Sequence, residues 1–161
     1  MEIIRRHAIR KSDLKQIKEK LAESIGDEAN TLFSRTAELI LTDIGELYAE
    51  NRIVLAFKID DKILPSLRAL NEGLAHLPTI TIDMGAIPHV TNGADIMAPG
   101  ITKVTPGLKV GDYVVIIDQN YGKSLAIGQL LVSSDEILKN KKGKVIKNYH
   151  YVNDPIWSVT L

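Results

Sequence analysis

The sequence predicts an α+β protein in two parts, a mixed α/β segment over residues 1–76 and a small β-barrel with short helices over 77–161. Three observations predict it. Apolar residues recur at three- and four-residue steps from Leu14 to Ile25, flanked on both sides by β-branched stretches. Beyond Leu77-Pro78, short β-branched runs alternate with Gly and Pro turns, the spacing of a barrel or sandwich that leaves few unpaired edges. The change of texture at Leu77-Pro78 divides the two.

The elements follow in order. Ile3, Ile4 and Ile9 mark a first strand within the first ten residues. Ser12 or Asp13 then supplies a side-chain oxygen to cap a helix, because the first turn has N–H groups with no carbonyl ahead of them. Leu14, Ile17, Leu21 and Ile25 share one face of that helix, Lys15, Lys18, Glu19 and Glu23 the other, and Gly26 stops it. Strands are expected over 37–42 and 53–59, with a turn at Asp43-Ile44-Gly45 leading into 46–49. Residues 65–73 predict a short helix with Leu67 and Leu70 inward. In the second part the strands expected are 79–82, 96–98, 113–118, 124–131 and 149–152, with 156–160 closing the set. A short helix is expected over 86–92, with Pro88 in its first turn, and Tyr149 and Trp157 are expected in the core.

Composition narrows the chemistry. There is no cysteine, which removes disulfides, thiolate zinc sites and cysteine nucleophiles and suits the cytoplasm. His7, His76, His89 and His150 are scattered without metal-ligand spacing, so no metal is expected. No apolar run is long enough to span a bilayer, and the start of the chain lacks the apolar stretch of a signal peptide, so no membrane is expected. Net charge is zero, which argues against coating a polyanion through a uniform field. The cations cluster instead, between Arg5 and Lys20 and again at Lys139, Lys141, Lys142, Lys144 and Lys147. No phosphate-binding loop, nucleophile elbow or dinucleotide fingerprint is present, so no catalytic residue and no cofactor is expected.

The informative stretch is Gly85-Ala86, then Val90, then Gly93-Ala94, leading through Ile96-Met97-Ala98 to Pro99-Gly100. A glycine after the short helix reverses the chain without a Cβ penalty, and a small residue beside it admits another backbone. Exposed N–H groups there suit phosphate oxygens. Downstream, Gly111-Asp112-Tyr113-Val114 opens a strand, and Ala126-Ile127-Gly128 lies in the next. In order and spacing these parts resemble the PUA domain, an RNA-binding barrel. The tail His150-Tyr151-Val152-Asn153-Asp154-Pro155-Ile156-Trp157, together with the mixed N-terminal segment, resembles the malignant T-cell-amplified sequence (MCT) family and ligatin-type translation factors, in a short archaeal-like form.

The resemblance implies a non-catalytic protein that recognises structured RNA, a tRNA 3′ end or small-subunit rRNA, in translation initiation or ribosome recycling. It implies contacts at Gly85, Ala86, His89, Gly93, Ala94, Met97, Pro99 and Gly100. Lys103 and Lys123 are expected to neutralise phosphates, with the 139–147 lysines in a loop as a weaker contact, and Tyr121 to offer a stacking face. Asp83 is read as the cap of the short helix rather than as an acid or base. Two alternatives stand beside this: the RNA-recognition subunit of an RNA-modifying enzyme, and a protein-interaction module docking a partner through the N-terminal segment. The resemblance also implies a density-regulated-protein partner, with which the family's eukaryotic members act.

Overall fold

The computed structural model describes residues 1–161, which separate into two compact units, Met1–His76 with Val159–Leu161, and Leu77–Ser158.

The first unit is an antiparallel meander crossed by one long helix. Its elements are β1 (Ile3–Ala8), α1 (Lys11–Ile25), β2 (Glu38–Thr42), β3 (Gly45–Glu50), β4 (Ile53–Ile59), β5 (Lys62–Pro65) and α2 (Leu67–Asn71), and the strands lie in sequence order. The helix forms where the apolar spacing requires it, burying Leu14, Leu21 and Ile25. It starts earlier than the cap expected at Ser12 or Asp13. Arg10 occupies the cap position with no side-chain bond, and Asp13 sits in the first turn, where a carboxylate suits the positive end of the helix dipole. Asn51 and Arg52, both at positive φ, make the tight turn between β3 and β4, because that turn follows the twist of the strands. Pro65 ends β5 rather than starting α2; Ser66 caps that helix, its Oγ accepting from the Ala69 N–H at 3.1 Å.

The second unit comprises β6 (Thr79–Ile82), a 3-10 turn Met84–Ala86 running into α3 (Ile87–Val90), β7 (Ile96–Met97), β8 (Ile101–Val104), β9 (Tyr113–Asp118), β10 (Ser124–Leu130), α4 (Ser134–Asn140), β11 (Lys144–Tyr151) and α5 (Pro155–Ser158). Sheet order is β7-β11-β10-β9-β6-β8, antiparallel except for β6 beside β9. The first and last strands of that order are consecutive in the chain, joined only by Ala98–Gly100. The four steps from Met97 to Ile101 reach about 14 Å at most, so the sheet must curl to bring its ends together. Ile80, Ile82, Val114, Ile116, Ala126, Leu130 and Ile146 fill the interior. The α+β expectation is met, with two sheets and helices segregated from them.

Three local expectations fail for identifiable reasons. Residues 156–160 are not a strand: Asp154-Pro155 starts a helix, with Asp154 Oδ1 accepting from the Trp157 N–H at 2.8 Å. The lysine segment 139–147 is mostly not a loop, since Lys139 lies in the last turn of α4 while Lys144 and Lys147 lie on β11. Its helix is capped by Ser133, whose Oγ accepts from the Glu136 N–H at 3.3 Å. Tyr149 and Trp157 are half-buried rather than core; the Tyr149 O–H donates to Gln129 Oε1 at 3.3 Å, and Lys147 Nζ sits 5.0 Å from the ring centre.

Candidate nucleic-acid interface

Asp83 accepts from the Ala86 N–H at 2.9 Å, which folds Met84–Ala86 into a tight turn that runs directly into α3. The Asp83 N–H itself donates to the Gly100 carbonyl at 2.9 Å. A Cβ on Gly100 would stand 3.1 Å from the Ala86 Cβ, so the Gly-Ala pair and the Pro-Gly turn meet only because both residues are this small. At the far end of α3, Gly93 takes φ +92°, and a Cβ there would lie 3.0 Å from the Tyr151 ring. Val90 is buried beneath, anchoring the helix.

The loop after α3 is held by β11, the strand that pairs with β7. Asn148 on β11 donates its Nδ2 to the Val90 and Ala94 carbonyls, at 3.1 and 3.0 Å, and its backbone N–H to Asp95 Oδ1 at 2.9 Å. The other Asp95 oxygen lies 3.4 Å from Lys144 Nζ. Lys144 is the cross-strand partner of Met97, whose side chain is 50% exposed, and both line the same cleft.

These residues enclose a cleft of about 700 Å³ lined by Asp83, Ala86, His89, Val90, Ala94, Asp95, Ile96, Met97, Pro99, Gly100 and Lys144. Six residues expected from the sequence therefore face one cleft: Ala86, His89, Ala94, Met97, Pro99 and Gly100. Gly85 and Gly93 shape its walls without lining it. The N–H groups of Asn92, Gly93 and Ala94, expected to be open to phosphates, are occupied instead by the His89 and Val90 carbonyls at the end of α3. Sequence reasoning missed Asp95, Lys144 and Asn148 as a group. Lys144 lay inside the noted lysine cluster, but nothing local ties it to Asp95.

Lys103 and Lys123 are exposed outside the cleft, and Tyr121 is 78% exposed at the tip of the β9–β10 hairpin. That hairpin leaves the barrel next to the cleft, because the Gln119 N–H donates to the Ile82 carbonyl one residue before Asp83. Asp118, only 3% exposed, orders the tip by accepting from the N–H groups of Tyr121, Asn120 and Lys123. The Tyr121 N–H above all, against the opposing cost of desolvation, holds the Asp118 carboxyl below its usual range. At the other edge His150 and Asp154, both buried, are joined at 2.7 Å. Asp154 also accepts from the Tyr151 N–H at 3.0 Å, locking the strand whose tyrosine packs on Gly93.

Residues 78–152 match the PUA domain family. The chain is 32% identical to Translation machinery-associated protein 20 of Saccharomyces cerevisiae, over 97% of this chain and 93% of that one. It is 41% identical over 98 residues to Malignant T-cell-amplified sequence 1-A of Xenopus laevis, covering 58% of this chain and 53% of that one. A solved hypothetical protein of Pyrococcus horikoshii superimposes with TM-score 0.80 at 32% identity, over 98% of this chain and 100% of that one. Fold, signature and full-length similarity agree, and the chain belongs to the PUA-domain family of Translation machinery-associated protein 20 and the malignant T-cell-amplified sequence proteins.

Proposed function

We propose that this chain binds structured RNA, without catalysing a reaction on it, through the cleft beside α3. The RNA is a tRNA 3′ end or small-subunit rRNA, met in translation initiation or ribosome recycling. The observation that carries the reading is that every residue lining the cleft falls within the stretch matched to the PUA domain. The name of the yeast relative supports the link to the translation machinery.

The lining suits bases better than phosphates. Ala86, Val90, Ala94, Ile96, Met97 and Pro99 offer apolar faces, and the charges are few and partly paired. An unstacked base of a single-stranded tail gains from such faces, while its edges find His89 and Lys144. Phosphates along the attached stem go to Lys103 and Lys123, with Tyr121 as a further stacking surface. The two carboxylates at the cleft are engaged in structure, Asp83 on the turn and Asp95 on Asn148 and Lys144, which supports a non-catalytic role.

The test is tRNA binding by fluorescence anisotropy for the wild type and Ala94→Glu. Ala94 is exposed, so the fold accommodates the longer side chain while the added carboxylate repels the RNA. The expected result is a loss of on the order of tenfold or more, equivalent to about 1.4 kcal/mol. Wild-type affinity in that variant removes the cleft from the interface. Comparing a tRNA with its 3′ tail removed against a small-subunit rRNA fragment separates the two RNA classes.

A further inference from the structure

The N-terminal unit carries a cationic surface that the cleft does not use. At 100° and 1.5 Å per residue, Lys11, Lys15 and Lys18 fall within about 60° of arc and about 10 Å of the α1 axis. With Arg35 they line a concavity of about 450 Å³ whose one acidic residue is Glu19. None of the four cations has a carboxylate within ion-pair distance; of the acids on α1 and just beyond it, Glu23 pairs with Lys62 at 3.2 Å and Glu28 with His76 at 2.6 Å, which leaves Glu19 alone beside the groove.

The placement runs against helix energetics twice. Like charges at i,i+3 and i,i+4 repel, as Lys15/Lys18 and Lys11/Lys15 do. Lys11 is also the first residue of α1, at the positive end of the dipole, while the last turn, where a cation is favoured, has none. An anion laid along the stripe relieves both penalties. With net charge zero, the stripe is a local concentration and not a reflection of a basic chain.

We propose that this groove is a second RNA-binding surface, one that takes the phosphodiester backbone; it rests on the RNA-binding reading above. A row of ammonium groups with a guanidinium beside it matches regularly spaced phosphates, and the groove has no aromatic platform with which to read bases.

The experiment uses the full chain and a tRNA, comparing wild type with the Lys11→Gln/Lys15→Gln/Lys18→Gln variant across a salt series. Losing three phosphate contacts lowers the slope of log K against log salt by about 2–3 and the affinity on the order of a hundredfold at physiological salt. Relief of the lysine repulsion leaves the melting temperature at low salt equal to or above wild type. Arg35→Gln, outside the helix, lowers the slope by about 0.7–0.9 and guards against a helix defect. An unchanged slope in both variants overturns the inference, as does displacement of RNA from neither variant alongside selective loss of polyglutamate binding, which identifies an acidic protein surface. If Ala94→Glu loses binding while these slopes hold, the cleft stands and the groove falls. No tRNA binding by the wild type removes both.

Discussion

Gly93→Ala places one methyl group against Tyr151 in a backbone conformation that L-residues avoid. The φ of +92° costs an alanine about 1–2 kcal/mol. The added Cβ would lie 3.0 Å from Tyr151 Cε1, Cζ and Oη, well inside the about 3.5–4.0 Å of a favourable carbon contact. Overpacking of this kind costs about 1–3 kcal/mol, since Tyr151 is packed against the barrel core and its N–H is held by Asp154. The sum is about 2–5 kcal/mol. A double-mutant cycle with Tyr151→Leu divides the two parts, because shortening the ring removes the contact and leaves the backbone strain. The coupling energy should be about 1–3 kcal/mol, with a residual of about 1–2 kcal/mol for Gly93→Ala in the Tyr151→Leu background. Urea unfolding followed by the fluorescence of Trp157, the one tryptophan, reports on this unit. Strict additivity of the two substitutions would refute the contact, and a Gly93→Ala cost below about 0.5 kcal/mol would refute the strain as well.

Other perturbations give separable outcomes. Asp154→Ala strips acceptors from the buried His150 ring and from the Tyr151 and Trp157 N–H groups, so urea titration should show a loss of about 3–5 kcal/mol; a loss under about 1 kcal/mol would mean the tail is not a structural clasp. Acid should unfold the protein through carboxyls held below their ordinary values of 3.8 for Asp118 and 4.5 for Glu50. Burial of Glu50 works against this, but its bonds from Ser34, Arg35 and Thr36 outweigh it. Both groups are depressed in the folded state, so their stabilisation is complete above those values and disappears as pH falls through the folded pKa. The urea midpoint should therefore be level from about pH 7 to 5 and fall below about 4, and Asp118→Asn should flatten the fall seen by Trp157. Lys144→Gln removes a half-exposed ion pair to Asp95, so stability should change by less than about 1 kcal/mol while tRNA affinity drops several-fold; equal affinity takes Lys144 out of the interface.

Much of this protein is local information. The spacing of Leu14, Ile17, Leu21 and Ile25 determines α1, since one helical face must be buried wherever the helix forms. Asp83 three residues ahead of Ala86 determines the turn into α3, and Gly93 marks its reversal, because caps and positive φ are settled within a few residues. The β-branched run of β9, buried along most of its length, and the turns between strands were likewise legible. The helix at Asp154-Pro155 was legible too, through its cap and its proline at N1, but a β-branched tail masked it.

What the tertiary structure alone decided is which distant residues meet. Asp95 and Asn148 are 53 positions apart, and only the pairing of β11 with β7 brings Lys144 beside Met97 and turns the lysine cluster into one cleft cation and several solvated ones. The same pairing places Tyr151 on Gly93, so a glycine readable as a turn proves also to be a contact. Propensity, capping and periodicity act over a few residues and are written in composition at fixed spacing. Strand partners in a closed sheet are chosen by burial of the whole interior, a quantity that no short stretch of sequence carries.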